Sequence, residues 1–244
     1  GIQADIKAIT TLGGYAATAI TALTIQNTMG VESVFAAPSK VVADQIRIVM
    51  EDIEPQAIKI GMVNDAKIVR VISFALNKYT PRYVVYDPVM VSTSGHRLIE
   101  DDTVEFIERE LIPLTTLLTP NMHEAEVLWR KKILSTEDMK QAAEELHQKY
   151  NTAILIKGGH LEGDLMCDIL CDAQGELHIF EEQKIDTCNL HGTGCTLSSA
   201  IATKLSQGHS LNESIALAKN YIIRAIEASK NMKIGHGHGP LWHF

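Results

Sequence analysis

The chain has 244 residues, 45% of them hydrophobic, with 22 basic and 30 acidic side chains giving a formal charge of -8. That length buries a substantial core without cross-links, and the four cysteines, Cys167, Cys171, Cys188 and Cys195, form neither a disulfide framework nor a C-x-x-C zinc pattern. The negative balance disfavours nucleic acid, no run approaches the roughly 18 apolar residues of a membrane span and no signal-peptide pattern is present, so the expectation is a cytoplasmic protein with reduced thiols.

In chain order, IQADIKAITTL carries apolar residues at helical spacing, and the β-branched run ATAITALTI is predicted as the first buried strand, ending at QNTMG. PSKVVADQIRIVMED predicts a helix, AIKI a strand ending in KIGM, and NDAKIVRVISFALNKY a helix opened by Asn64 and Asp65. Pro81 punctuates before the strand YVVY, which ends in DPVM, and the strand in TTLLT ends in TPNMHE. In STEDMKQAAEELHQKY, Ser135 and Asp138 have the spacing of a capping box. The strand AILIK then ends in KGGH. MCDILC and ELHIF, joined by DAQG, read as an antiparallel hairpin at a sheet edge. Two helices close the chain, one after Gly194 and one over LNESIALAKNYIIRAIEASK.

Short strands apolar on both faces, alternating with helices, belong to a buried parallel sheet. The expected fold is α/β, three layers α/β/α around a mostly parallel central sheet, with a small antiparallel edge hairpin. With no repeat or linker, residues 1–244 are expected to be one domain. Ligands of open α/β sheets bind outside the carboxyl ends of the strands, which makes QNTMG, KIGM, DPVM, TPNMHE and KGGH the expected rim of a site.

Each motif has a chemical and a bland reading. In NLHGTGCT, Gly192 and Gly194 permit a tight turn presenting successive N–H groups at a helix start, a cradle for phosphate. A glycine turn that merely caps a helix reads equally well, and no Gly-Lys-Ser/Thr of a Walker loop follows. Cys195 has the setting of a reactive thiol, against plain small-residue packing, and a hydrolase would need His191 as base from across the turn. Asn121 and Glu124 share one face of a helix's first turn, as Mg2+ on a nucleotide or simple capping requires. Lys157 before paired glycines suits polyphosphate or a solvated strand end. For Lys219, within IALAKNYII, a snorkelling stem suffices. Asp87 is a metal or base position, or a cap for the loop Pro88 begins. The Gln26 amide donates and accepts in one plane, matching an aminopyrimidine, or bonds only backbone. The basic cluster Arg130, Lys131 and Lys132 suits a helix C-terminus. His236, His238 and His243 in the tail are irregularly spaced and are assigned no catalytic metal.

Taken together, GIQAD, QNTMGV, KIGM, DPVM, TPNMHEAE, KGGH, HGTGCT and GHGP, in this order across essentially the whole chain, resemble the hydroxymethylpyrimidine and phosphomethylpyrimidine kinases of thiamine biosynthesis, a branch of the ribokinase superfamily. The resemblance implies a ribokinase-like fold and ATP-dependent phosphorylation of 4-amino-5-hydroxymethyl-2-methylpyrimidine and then of its monophosphate, with Mg2+. It implies an anion hole over residues 191 to 195, with Gly192, Thr193 and Gly194, and Cys195 as base toward the hydroxymethyl group. Asn121 and Glu124 become the Mg2+ and phosphate element, Lys157 and Lys219 lysines near the nucleotide phosphates, and Asp87 part of the phosphate and metal region. Asp5, Gln26, Met62 and Val89 line the pyrimidine pocket. The superfamily's habit and the edge hairpin imply a homodimer. The family begins with a further strand and a glycine-rich turn ahead of the equivalent of Gly1, and the expectation is that such residues belong to the natural protein, since losing a central strand exposes its neighbours' edges. Three other readings stand beside this one. A pyridoxal kinase on the same scaffold is set against the pyrimidine-type Gln26 and Met62. A non-catalytic pyrimidine-binding module is set against Glu124 and the intact HGTGC. A cysteine hydrolase comes third.

Overall fold

The computed structural model describes residues 1–90, 99, 101–158 and 165–244. Helix α1 (Ile2–Thr11) leads into the hairpin β1 (Ala22–Asn27) and β2 (Gly30–Ala36), followed by α2 (Ser39–Asp52), β3 (Ala57–Ile60), α3 (Ala66–Tyr79) and β4 (Tyr83–Tyr86). Then come α4 (Asp101–Phe106), a π-helical turn Ile107–Leu111, a 3-10 turn Ile112–Leu114, β5 (Leu117–Leu118), α5 (Met122–Trp129) and α6 (Thr136–Tyr150). Strands β6 (Ala153–Gly158), β7 (Leu165–Cys171) and β8 (Leu177–Gln183) precede α7 (Thr193–Ser206) and α8 (Leu211–Ser229). No helix among the described residues is long and apolar enough to cross a membrane.

The central sheet has the order β3-β4-β5-β6-β7-β8. Neighbours from β3 to β6 are parallel, while β7 runs antiparallel to β6 and to β8, so the expected edge hairpin is present. Strand alternation sends successive side chains to opposite faces. Val84, Tyr86, Leu118, Ile154 and Ile156 enter one core with α2, α3, α5 and α6, whereas Val85, Leu117, Ala153 and Leu155 enter another with α1, α7 and α8. These are the three expected layers.

Local sequence explains most boundaries. Asp65 caps α3 by accepting the Lys67 N–H, and Ser210 with Glu213 forms a reciprocal capping box on α8. At α6 the box is shifted. Ser135 Oγ accepts the Asp138 N–H, but the Asp138 carboxylate takes the N–H of Leu134 instead of Ser135's.

One expectation is corrected. ATAITALTI does not supply a central strand: residues 22–27 pair antiparallel with β2 in a separate two-stranded sheet, and Leu23, Ile25 and Phe35 are more than half exposed. A β-branched run pairs with whichever strand reaches it first. GVESVFA lies just beyond a two-residue turn, which suffices for an antiparallel partner. QNTMG is therefore a hairpin turn and not a rim loop of the central sheet.

Candidate active site

Four strand ends and one helix start converge on a buried charged cluster. Asp87 follows β4, and Lys157 lies near the end of β6, with β5 between them. Lys157 Nζ donates to Asp87 Oδ1 at 2.8 Å, and the two side chains are 16% and 2% exposed. Backbone bonds fix both positions: the Asp87 N–H donates to Ile60 O and the Lys157 N–H to Pro120 O, each at 2.9 Å. Burial opposes charge on Asp87, but the neighbouring Lys157 and Lys59 ammoniums hold its carboxyl below the usual range. Burial equally opposes charge on Lys157, and Asp87 and Glu124 lift it above an ordinary lysine.

Glu124 opens α5 from the next rim loop. Its Oε2 accepts the Asn121 N–H at 2.8 Å, Asn121 Oδ1 accepts the Glu124 N–H at 2.9 Å, and the Met90 N–H reaches Glu124 Oε1 at 3.3 Å. The capping account of Asn121 and Glu124 is thus physically present. It does not exhaust Glu124, because burial, reinforced by the Asp87 charge, pushes this carboxyl up to about 7 against the opposing pull of Lys157. Two buried carboxylates that disfavour each other's ionisation suit a divalent cation.

The glycine segment faces this cluster. Gly192, at φ +87, is the left-handed N-cap that turns the chain into α7. The N–H groups of Gly194 and Cys195 fall in the first helical turn, where backbone donors lack intrahelical partners. A Cβ on Gly194 would lie 3.3 Å from Lys157 Nζ and 3.4 Å from Asp87 Oδ2. The start of α7, with its positive dipole end, therefore packs directly against the lysine, an arrangement of donors suited to an anion. Cys195 is half-buried in that first turn.

Of the residues expected to line a pyrimidine pocket, Asp5 lies on α1, Gln26 on β1, and Met62 and Val89 beyond the ends of β3 and β4. Asp5 Oδ1 accepts both Lys59 Nζ, at 2.9 Å, and the Ser199 hydroxyl, at 2.8 Å. Gln26 is exposed, with its amide nitrogen 3.0 Å from His191 Nε2. Burial lowers the His191 pKa below that of an ordinary histidine. Met62 and Val89 are half-buried where β3 and β4 end, and the Thr21 hydroxyl donates to Met62 O at 2.8 Å.

Comparison with known proteins shows the family. A family model described as phosphomethylpyrimidine kinase matches residues 1–242. The hydroxymethylpyrimidine/phosphomethylpyrimidine kinase of Rhizobium meliloti is 41% identical, covering 100% of this chain and 91% of its own. The chain belongs to the phosphomethylpyrimidine kinase family. The thiamine biosynthesis bifunctional protein of Geobacter sulfurreducens is 44% identical, and this chain spans 49% of its length. The crystal structure of phosphomethylpyrimidine kinase from Clostridium difficile superposes with a TM-score of 0.82 at 42% identity, covering 93% of each chain. A pyridoxal kinase from Staphylococcus aureus, in complex with AMP-PCP and pyridoxal, gives 0.89 at 32% identity over 100% of this chain and 87% of its own. The fold is that of the family's ribokinase-like relatives.

Lys219 stands apart from the family's rim residues. It does not snorkel: its side chain is 8% exposed, and Nζ donates to Asp168 Oδ2 at 2.6 Å. Asp168 Oδ1 in turn accepts the Gly158 N–H at 3.0 Å, so Lys219 ties α8 to the end of β6, where residues 159–164 of the KGGH loop lie outside the described residues. In the tail, His243 is buried and shares a 2.8 Å hydrogen bond with Tyr221, and the His238 N–H donates to Thr28 O at 2.9 Å. The second contact holds the tail over the β1–β2 turn, and the first holds His243 against α8.

Lys59 is the site residue missing from the sequence reading. The signal was available: AIKI is a short parallel strand, and such strands are apolar on both faces, so a lysine there is a buried charge in search of a partner.

Proposed function

We propose that this chain is an ATP- and Mg2+-dependent kinase that phosphorylates the hydroxymethyl group of 4-amino-5-hydroxymethyl-2-methylpyrimidine and then the resulting monophosphate. The observation that carries the reading is the packing of Gly194 against the Lys157–Asp87 pair at the start of α7, with Cys195 next in the chain and Asp5 bonded one helical turn further along through Ser199. Phosphoryl transfer has a loose transition state, so positioning and charge stabilisation do most of the work.

In this account the N–H groups of the Gly192–Thr193–Gly194–Cys195 turn and the Lys157 ammonium hold the transferred group. Asp87 and Glu124 hold Mg2+, which when bound neutralises charge on the phosphates. Asn121 fixes Glu124 through the cap, and Lys219 anchors the strand end from which the nucleotide loop departs. Asp5, Gln26, Met62 and Val89 hold the pyrimidine. As its oxygen bonds to phosphorus and the bond to the ADP oxygen breaks, the acceptor hydroxyl passes its proton to the Cys195 thiolate, which becomes the thiol. The family kinases from Rhizobium and Clostridium support the pyrimidine acceptor, and the solved relatives holding ADP or AMP-PCP support the nucleotide. The exposed apolar side chains of the β1–β2 sheet support a homodimer, checked by sedimentation, and the free thiols suit the cytoplasm.

A second reading, a pyridoxal kinase, is favoured by the full-length superposition on the Staphylococcus enzyme. Separate incubations of the pyrimidine alcohol, its monophosphate and pyridoxal with ATP and Mg2+, read by mass spectrometry, distinguish the two. Pyrimidine products with little pyridoxal phosphate are expected. Pyridoxal phosphate alone would move the assignment to the second reading, and no product with any acceptor would leave a binding module.

A further inference from the structure

The transfer described above leaves Lys59 unused. Its side chain is 5% exposed, and its ammonium, with three donors, makes one hydrogen bond among the described residues, to Asp5 Oδ1 at 2.9 Å. That oxygen also takes the Ser199 hydroxyl. Two donors of a buried ammonium therefore lack a protein acceptor among the described residues, and buried donors in folded proteins find partners. The contacts of Lys59 place it. Asp5 Oδ1, which it shares with Ser199 one turn beyond Cys195 on α7, lies on one side, and a Cβ on Gly61 of the KIGM loop would lie 2.9 Å from its Nζ, so the ammonium sits at the strand-end rim beside the start of α7.

The two acceptors differ where such a cation matters. An alcohol brings no charge. A phosphate monoester brings about -1.5 to -2 near neutral pH, and this second anion must approach the phosphoryl group already held by Lys157 and the start of α7. In the second transfer an anionic phosphate oxygen forms the new P–O bond as the bond to the ADP oxygen breaks, with no proton to remove. The obstacle is repulsion, and Lys157 is already occupied by Asp87 and the donor.

We infer that Lys59 receives the acceptor's own phosphate, so that one site takes a phosphate monoester after an alcohol. The inference rests on the two-step reading proposed above. It makes Lys59 a specificity residue of the second step, and the Asp5 pair its resting partner.

The test compares the full chain with Lys59→Met, and with Lys59→Met combined with Asp5→Asn, which leaves no stranded carboxylate if the single variant folds poorly. Alcohol and monophosphate are assayed separately, and their binding without nucleotide is measured by calorimetry. In Lys59→Met the ratio of kcat/KM for monophosphate to that for alcohol should fall on the order of 10- to 100-fold, the scale of one charged hydrogen bond, mostly through KM, with monophosphate affinity falling in step. In the double variant the same ratio should stay low. Parallel losses on both acceptors, or unchanged monophosphate affinity, would reduce Lys59 to a structural partner of Asp5 and overturn the inference. A wild-type chain that binds the monophosphate through Lys59 but transfers to neither acceptor would instead sink the two-step reading alone.

Discussion

The site holds two buried lysine–aspartate pairs built in different ways. Lys157–Asp87 joins the ends of two parallel strands on the sheet rim and presses against Gly194, and each member sits at a strand end whose local sequence announces it. Lys59–Asp5 joins the interior of a strand to a helix and to Ser199 of a second helix, and no stretch containing either residue looks unusual by itself. The first pair is built from backbone and strand ends, the second from side chains distant in sequence. In the proposed account the first holds the transferred group, as many phosphoryl transfers require, and the second serves the choice of acceptor.

Removing the rim cation should produce the largest effect. Lys157→Met leaves Asp87 buried without its partner, so steady-state assays should show kcat reduced by about 10^3, and thermal melts a destabilisation of about 3 kcal/mol. A loss confined to stability would dissolve the distinction between the two pairs. Gly194→Ala follows. Its added methyl group meets Lys157 Nζ and Asp87 Oδ2, and kcat should fall by about 10^2 on both acceptors while the melting temperature holds, because alanine favours the helix.

Cys195→Ala separates the two roles further. The alcohol step should lose on the order of 10^2 through the missing base and the monophosphate step much less, as paired rate measurements would reveal; equal losses would mean that the thiol only packs. The smallest effect on rate is the pH dependence set by Glu124, whose carboxyl is pushed up to about 7 from an ordinary 4.5. A raised carboxyl binds its proton more tightly in the folded state, so the metal-free protein gains stability from this residue below about pH 4.5 and loses it as pH rises through about 7, by about 3 kcal/mol. Urea titrations across that window should show the slope, and Glu124→Gln should flatten it. Activity moves the other way, since Mg2+ needs the ionised form, and kcat/KM should rise several-fold from pH 6 to 8.

Much of this was legible in the sequence for physical reasons that also mark the limits. Parallel strands such as YVVY and AILIK declare themselves through continuous apolarity, and helices such as α3 and α8 through spacing and caps. ATAITALTI has the same composition as a buried strand but pairs within a hairpin, and nothing in its own residues distinguishes the two outcomes. The short segments after Asp101 carry too few turns for periodicity to register. In the site, Asp87, Lys157 and the glycine segment fall together because strand ends share a rim. Lys219 reads as a snorkelling residue, since its partner Asp168 is 51 positions away on a strand. Lys59 was hidden by the same distance from Asp5, although its placement in an apolar strand was itself a clue.

The most direct test of the central claim is a single time course starting from the pyrimidine alcohol, with excess ATP and Mg2+, followed by mass spectrometry. The account predicts that the monophosphate rises first and then drains into the diphosphate, with one ADP formed per phosphoryl group transferred. A reaction that halts at the monophosphate, or that consumes no alcohol at all while pyridoxal is phosphorylated under the same conditions, would contradict it.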